Sequence, residues 1–341
     1  MAKKQLFGYV DEKPVYNFTI SSSKVTAEIL NYGAVLRSLK VKKDDKEIDV
    51  VLGFDTLNEY LVASGRFGAI IGRFANRINN GEFFIDGIKY QVSKNRNGNC
   101  LHGGVVGFDK KVWDFQLFDN ALELKLFSPD GEEGFPGNLD VCVRYSVDDE
   151  GLQIEYSCIS DKDTLVNFTN HAYFNLNGEG VGNVDNHKLT LWASCYTPSD
   201  SRCMVLGTVE PVNETPMDLR SPTVIASRMD SSFEQLRKGF DHNFAIDNAD
   251  GTLRTAALAS SNTTGITMTV ETDQPGIQFY TANSAPSTPG KGGAEYGKHH
   301  AFCLETQGFP DAPNHPDFPD SILRPGQQYD HTTRFCFSSA K

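Results

Sequence analysis

The sequence predicts an all-β protein, a large antiparallel β-sandwich or barrel with few short helices. Apolar and polar residues alternate with period two through most of the chain, which is typical of half-buried antiparallel strands. Helical patterning is confined to short pieces, at 231–238 and after Leu57. Many short strands with Gly- and Asn-rich turns favour a sandwich or barrel over an α/β fold. The alternation is clearest at 122–126, 141–147, 152–158, 266–270 and 335–337.

A hairpin and one long loop can be placed from local sequence. Residues 83–90 read FFIDGIKY, in which Asp86-Gly87 supplies the positive φ angles of a type I′ turn. No stretch rich in Pro, Gly or Ser is long enough to act as a linker, and no repeat is present. Segment 284–293 has strand patterns on both sides, so we interpret it as a mobile loop near a site. We therefore predict a single domain over residues 1–341.

Composition narrows the class of partner and the compartment. The 341 residues carry 32 basic and 44 acidic side chains, a formal net charge of −12. With no basic surplus to neutralise phosphates and no long apolar run, we expect neither nucleic acid nor a membrane as partner. The seven cysteines form no C-x-x-C pair and favour buried thiols in a reducing compartment over disulfides. The N-terminus shows no signal peptide, so we expect a cytoplasmic protein. We also expect a monomer or weak homodimer.

Several motifs of cofactor and metal chemistry are absent. The sequence has no glycine-rich nucleotide loop, no Walker loop, no Gly-x-Ser-x-Gly elbow and no His-Glu-x-x-His pair. We expect neither a cofactor nor a metal ion. The remaining candidates for chemistry are polar residues set in apolar strands or at strand ends.

The first candidates lie in GRFANRI at 72–78. Two arginines and an asparagine among apolar residues are costly unless their donors are used. In the functional interpretation, Asn76 and Arg77 present donors to ligand oxygens. The alternative for Arg73 and Arg77 is an internal salt bridge or hydrogen bonds that pin loops.

Two histidines stand in polar or glycine-rich settings. His102 precedes two glycines, which allow a sharp turn and close approach of the backbone to a ligand. If the strand at 170–176 continues, His171, Tyr173 and Asn175 share one face while the residues between them point to the core. A histidine beside a tyrosine and an asparagine suits a proton donor held against a polar ligand.

Carboxylates and an amide complete the set. Asp241 lies between aromatic residues and either forms an Asx turn or binds paired hydroxyls. Gln278 shares a strand face with Tyr280. Glu305 ends an apolar row, where desolvation would raise its pKa towards that of a general base. The alternative for Glu305 is neutralisation by Arg77 or Arg73.

These residues together predict acid–base chemistry on a polyhydroxylated ligand. Carboxylates and amides bind hydroxyl pairs, and aromatic rings pack on C–H faces. One acid and one base acting on a sugar suggest proton transfer at the anomeric carbon.

With these motifs, the sequence resembles the galactose mutarotase (aldose 1-epimerase) family over essentially its whole length. Singly each shared motif is weak, but their order and spacing are specific. The motifs are GRFANRI at 72–78, LHGG at 101–104, NHAYFNLNG at 170–178, FDHN at 240–243 and LETQGFPDAPN at 304–314 continuing to LRPG at 323–326.

The resemblance implies a single-domain antiparallel β-supersandwich with an open cleft. It implies that the enzyme interconverts α and β anomers of free aldoses such as galactose or glucose, and that its partner is a monosaccharide. His171 would then be the general acid, Glu305 the general base and His102 a third catalytic group. The sugar-binding positions fall on Asn76, Arg77, Asp241 and Gln278.

Three other functions stay open from sequence. A hexose-6-phosphate 1-epimerase would need extra cationic residues in the cleft, for which Lys291 and Lys298 are the candidates. A glycosidase would use a carboxylate pair such as Asp241 and Glu305. A non-catalytic sugar-binding protein on the same fold would bind without anomerising.

Overall fold

The N-terminal sheet is a five-stranded meander. The computed structural model describes residues 2–229 and 232–339, and the predicted all-β architecture is confirmed. Each strand of this sheet pairs antiparallel with the next along the chain. In the second and third strands alternate side chains are buried, as half-buried strands require. The strands are Lys3–Val10, Lys13–Ser21, Val25–Leu30, Leu36–Lys43 and Lys46–Asp49.

A nine-stranded antiparallel sheet contains the sequence's clearest alternating runs. Along Leu139–Val147 the buried positions recur at every second residue, so these predicted strands are confirmed. The last long strand of the chain inserts between two earlier strands, which closes the middle of the sheet. In spatial order the strands are Asp114–Leu117, Ala121–Ser128, Leu139–Val147, Gly151–Ser160, Gln328–Ser339, Ile266–Thr272, Arg254–Ser260, Lys188–Leu191 and Thr223–Val224.

A second five-stranded sheet, called the cleft sheet below, carries the candidate base. Asn243, Gln278 and Glu305 are register partners across three neighbouring strands. Since partners in register share a face, the sheet sets three polar side chains in one row. In spatial order its strands are Glu210–Pro211, Cys195–Thr197, Asp241–Ala245, Gly276–Tyr280 and Cys303–Gln307.

Among the described residues, five short strand pairs lie outside the three large sheets. The hairpin predicted at 83–90 is confirmed, with positive φ at Asp86 and Gly87. Two other pairs hold the segments that carry the candidate histidines. The pairs are Glu82–Ile85 with Ile88–Gln91, Ile70–Ile71 with Thr169–Asn170, Arg77–Ile78 with Cys100–Leu101, Thr164–Leu165 with Ile322–Leu323, and Thr288–Pro289 with Glu295–Tyr296.

Helices are few and short, as predicted. The α-helix Leu57–Val62 starts at a capping box formed by Thr56 and Glu59. The helix predicted at 231–238 begins outside the described residues, and its described part contains only the 3₁₀ turn Glu234–Leu236. None of the described helices is long and apolar enough to cross a membrane. The other 3₁₀ turns are Asn79–Gly81, Phe108–Lys110, Glu132–Gly134, Ile225–Arg228, Lys291–Gly293 and Ala312–Asn314.

One hydrophobic cluster joins the three large sheets. It includes Phe18 from the N-terminal sheet, Val143 and Ile154 from the nine-stranded sheet, and Phe279 from the cleft sheet. Full burial of such a side chain contributes about 1.5–3 kcal/mol. This shared core fixes the cleft sheet relative to the rest of the molecule. All seven cysteines are free, and no disulfide contributes.

Candidate active site

A cleft of about 490 Å³ brings most of the predicted site residues together. Its wall also contains the aromatic rings of Phe67, Tyr173 and Tyr280. Rings beside polar groups suit a ligand that has both C–H faces and hydroxyls. Of the predicted residues, the wall includes Asn76, Arg77, His102, His171, Asp241 and Glu305, while Gln278 lies outside it.

His171 and Glu305 form the closest acid–base pair in this cleft. Nε2 of His171 lies 3.7 Å from Oε1 of Glu305, too far for a direct hydrogen bond. The imidazole stacks on the ring of Tyr173 at 5.0 Å with an angle of 14° between planes. Oε2 of Glu305 is buried and has no hydrogen-bond partner among the described residues. Both groups are thus fixed in place with hydrogen-bonding capacity left for a ligand.

Burial shifts the two pKa values in opposite directions. Desolvation raises the pKa of Glu305 to about 8, with Asp241 adding to the rise and Arg77 and Arg66 opposing it. Desolvation also lowers the pKa of His171 to about 4, and the charge of Arg66 adds to that lowering. Between these values the pair holds one proton, so it always has one donor and one acceptor.

His102 is held as a neutral donor. The backbone N–H of Asn76 donates to Nδ1 of His102 at 3.1 Å, so the proton of the neutral ring lies on Nε2. Burial, and after it the charge of Arg66, keeps the pKa of His102 well below its usual value. The ring lies 5.4 Å from the ring of His171. A neutral imidazole N–H is thereby placed beside the acid–base pair.

The two glycines after His102 allow the sharp turn that the sequence predicts. Gly103 and Gly104 have φ angles of 81° and 109°, which favour glycine. A Cβ on Gly103 would lie 1.9 Å from the carbonyl oxygen of Gly72, and a Cβ on Gly104 would lie 2.2 Å from the carboxylate of Glu133. Both positions therefore require glycine for conformation and for packing.

Asp241 and Gln278 act as a unit at the cleft wall. Nε2 of Gln278 donates to Oδ1 of Asp241 at 2.7 Å. Gln278 is only 3% exposed, whereas Asp241 is half-buried and lines the cleft. The amide is therefore placed to orient the carboxylate towards the cleft.

Comparison with known sequences decides the family. A family model described as aldose 1-epimerase matches residues 16–336. The chain belongs to the aldose 1-epimerase family. The galactose mutarotases of Bos taurus and Homo sapiens are each 43% identical to it over 328 residues, 96% of this chain and 95% of theirs. The aldose 1-epimerase of Escherichia coli K12 is 35% identical over 334 residues, 96% of each chain. The chain is thus an enzyme of the isomerase class.

Solved structures give the same result for the fold. An aldose epimerase homologue from C. elegans has a TM-score of 0.88 and 30% identity, covering 95% of this chain and 98% of its own. A galactose 1-epimerase from Lactobacillus acidophilus has a TM-score of 0.88 and 27% identity, covering 100% and 99%. The predicted β-supersandwich of the aldose 1-epimerase family is confirmed.

The two arginines of the motif at 72–78 have different positions. Arg73 is 2% exposed and donates to Ser128, Pro129 and Pro136, so the loop-pinning interpretation is confirmed for it. Arg77 lines the cleft, where its NH1 group donates to Oδ1 of Asn76 at 3.3 Å. No arginine of the described chain lies within salt-bridge distance of Glu305. That carboxyl is therefore not neutralised by a direct ion pair.

Asn175 is not on the face of His171. It is fully buried and donates to the carbonyls of Val181, Gly182 and His300. The predicted alternation holds for the neighbouring residues: His171 and Tyr173 line the cleft, and the residues at 172, 174 and 176 lie in the hydrophobic core. It fails at Asn175, whose amide is used by backbone carbonyls. Asn175 stabilises a neighbouring loop instead of facing the cleft.

Three cleft residues, two histidines and a glutamate, are of types that bind metal ions, but the hydrogen bonding of one histidine does not suit a metal ligand. Donor atoms of His102, His171 and Glu305 lie within 4.8 Å of one another. A metal at Nε2 of His102 would require the ring proton on Nδ1, where the N–H of Asn76 already donates. His102 is therefore a poor ligand in this arrangement.

The two lysines considered for phosphate binding are unsuitable. Lys291 is buried, and its Nζ donates to Asp49, Val51 and Arg37. Lys298 is exposed and does not line the cleft. Ser284, Ala285 and Pro286 of the predicted loop do line it. The loop therefore forms part of the cleft wall without contributing a cation.

Arg66 is one of the cleft residues that sequence reasoning missed, together with Asn95 and Arg96. It lies between Gly65 and Phe67, just before the motif at 72–78, and lines the cleft beside Arg77. The only local signal was a charge between a glycine and an aromatic residue. That pattern is too common to identify a site.

Proposed function

We propose that the chain interconverts the α and β anomers of a free aldose, with galactose and glucose as first candidates, using His171 as general acid and Glu305 as general base. The supporting observation is the buried pair whose Nε2 and Oε1 atoms lie 3.7 Å apart and whose pKa values shift in opposite directions. Family membership supports the reaction, and the cleft geometry supports the roles of the two residues.

The reaction opens and recloses the sugar ring. The Glu305 carboxylate takes the proton of the C1 hydroxyl while the protonated His171 gives a proton to the ring oxygen. The C1–O5 bond breaks as the C1 carbonyl forms, giving the open-chain aldehyde. Half a turn about C1–C2 presents the other carbonyl face, and the two proton transfers then run in reverse. Each positioned acid or base typically contributes about 10²–10⁴-fold.

The proton needed for this step is already in the pair. Both burial shifts favour neutral groups, so in the free enzyme the proton rests on Glu305. Moving that proton to His171 gives the reactive carboxylate–imidazolium form. The positive charges of Arg66 and Arg77 lower the pKa of Glu305 and so favour its carboxylate form.

The remaining cleft residues hold the sugar while its C1–C2 bond rotates. Asn76 and Arg77 donate to hydroxyls, and Asp241, oriented by Gln278, accepts from a hydroxyl pair. His102 offers its Nε2–H to the ring oxygen or the C1 oxygen, where charge develops. Fixing the hydroxyls lowers the entropy cost of the reaction.

Polarimetry tests the proposal directly. Freshly dissolved α-galactose should reach its equilibrium rotation faster in proportion to enzyme concentration, after subtraction of the spontaneous rate. The same assay on glucose and on galactose and glucose 6-phosphates separates the alternatives. Higher kcat/KM for a 6-phosphate would favour the phosphorylated-sugar epimerase, and sugar binding without rate enhancement would overturn catalysis. Release of reducing sugar from an aryl glycoside would instead indicate a glycosidase.

We also propose that residues 1–341 act as one domain, as a monomer or weak homodimer in the cytoplasm. A hydrophobic cluster shared by three sheets and seven free cysteines support this description. Light scattering across a concentration series tests the oligomeric state, and a single cooperative unfolding transition tests the domain.

A further inference from the structure

Arg66 sits on a turn that is tied to the candidate acid. The N–H of Ala69 donates to the carbonyl of Arg66 at 3.0 Å, and the N–H of Gly68 donates to the carbonyl of His171 at 2.9 Å. The ring of Phe67 stacks at 4.5 Å on that of Tyr173, which in turn stacks on His171. The backbone of Arg66 is thereby fixed relative to the imidazole.

The Arg66 guanidinium forms an ion pair with Asp109 but no hydrogen bond with any described residue. Nε lies 3.4 Å from Oδ2 of Asp109, whose side chain is 8% exposed, and the side chain of Arg66 is 18% exposed. Neither terminal amino group hydrogen-bonds any residue in the part of the chain that the structure describes. Because Arg66 lines the cleft, these donors remain for a ligand.

We propose that Arg66 is a further substrate-binding residue, which hydrogen-bonds a sugar oxygen through its terminal amino groups while its Nε side faces Asp109 in an ion pair. This inference rests on the proposed anomerase function. It adds a second guanidinium to the sugar-binding set, on a turn that is hydrogen-bonded to the backbone of His171 rather than on the strand of Arg77.

The position of Arg66 gives a second, independent readout. Its charge lowers the pKa values of Glu305 and His171, because a nearby cation disfavours protonation of both groups. Arg77 acts on Glu305 in the same direction, and Asp241 acts in the opposite direction on both. Loss of the Arg66 charge should therefore raise both pKa values together.

The experiment compares Arg66→Gln with Arg66→Lys. Losing a hydrogen bond from a charged group should lower kcat/KM by roughly 10- to 100-fold, mainly through KM. Both limbs of the pH profile of kcat/KM should move to higher pH in Arg66→Gln. Arg66→Lys keeps the charge, so the limbs should stay near the parent while KM remains raised. Asp109→Asn, which weakens the anchor, should raise KM less than Arg66→Gln.

Arg144→Gln is the matched control. Arg144 also pairs with a carboxylate, Glu123 at 2.8 Å, but on the nine-stranded sheet away from the cleft. Its KM and pH profile should match the parent. If the parent itself does not anomerise a free aldose, the proposed function fails. If the parent is active and Arg66→Gln matches Arg144→Gln in KM and pH limbs, the role of Arg66 is wrong. Should Arg66→Gln not fold, a parent-like KM in Arg66→Lys overturns the proposal.

Discussion

Two buried histidines, one in the nine-stranded sheet and one in the cleft, each have a carboxyl group and a tyrosine ring as neighbours. Both ring nitrogens of the first are hydrogen-bonded within the described chain, and neither ring nitrogen of the second is. His331 binds Asp273 through Nδ1 at 2.7 Å and Thr333 through Nε2 at 3.2 Å, and it stacks on Tyr156 at 4.6 Å. His171 also has a carboxyl and a tyrosine beside it. Its Nε2 is 3.7 Å from Glu305, and its Nδ1 has no hydrogen-bond partner among the described residues.

The difference separates groups that stabilise the fold from groups available to a ligand. A buried polar atom without a partner costs about 1–3 kcal/mol, so unsatisfied atoms gathered at a cleft need a functional explanation. Arg73 and Arg66 repeat the contrast, since Arg73 uses its guanidinium on protein carbonyls and Arg66 leaves its terminal groups free of described partners. The comparison predicts that changes in the cleft cost activity and changes in the nine-stranded sheet cost stability.

The largest expected effect is on catalysis by the acid–base pair. Glu305→Gln and His171→Asn should each lower kcat for anomer interconversion by about 10²–10⁴-fold, as measured by polarimetry. Glu305→Gln should unfold at the same or a higher temperature than the parent at pH 7. The carboxyl has a folded pKa of about 8, above the ordinary value of 4.5, so the stability it provides at low pH is lost progressively as pH rises between those values.

Either result can contradict the assignment. Parent-like kinetics in Glu305→Gln or His171→Asn would remove that residue from its role. A marked drop in the unfolding temperature of Glu305→Gln would mean that the carboxyl stabilises the fold, as Asp273 is inferred to do. Glu271→Gln in the nine-stranded sheet controls for loss of a glutamate charge.

The next effect is on the pH dependence of kcat/KM. Below about pH 4 both His171 and Glu305 are protonated and the pair has no base. Above about pH 8 neither is protonated and the pair has no acid. The profile should be a bell with limbs near these values, falling tenfold per pH unit outside them. A single limb near pH 6.5, the ordinary pKa of histidine, would indicate an unshifted His171 acting without the carboxyl.

Sequence predicted the strands well because alternation directly reflects which face of a strand is buried. The nine-stranded sheet follows the alternating runs, and the hairpin follows its Asp-Gly turn. The cleft was harder, because its residues come from eight separate segments whose positions depend on tertiary packing. Asn175 was misplaced because backbone carbonyls distant from it take up its amide, and Arg66 was missed because only the fold brings it beside His171. Whether a polar group has a partner is not visible in sequence at all.

A smaller effect, now on stability, is expected in the nine-stranded sheet. His331→Ala leaves Asp273 and Thr333 without their imidazole partner and should lower the free energy of unfolding by roughly 1–3 kcal/mol. Urea denaturation measures this change. The folded variant should retain kcat within about twofold, because His331 does not line the cleft. A large loss of kcat with unchanged stability would show that the two histidines are not functionally distinct in the way we infer.

The smallest expected effect is at Gln278. It tests whether a residue just behind the cleft wall contributes to substrate binding or to the stability of the fold. Gln278→Met removes the hydrogen bond to Asp241, so the carboxylate is less well oriented and KM should rise about 2- to 10-fold with little change in kcat. Stability should change little, because Oε1 of Gln278 has no hydrogen-bond partner within the described chain. Gln153→Met, on the partly exposed face of the nine-stranded sheet, is the matched control. A fall in stability with unchanged KM would show that Gln278 stabilises the fold, as His331 does, and does not contribute to substrate binding.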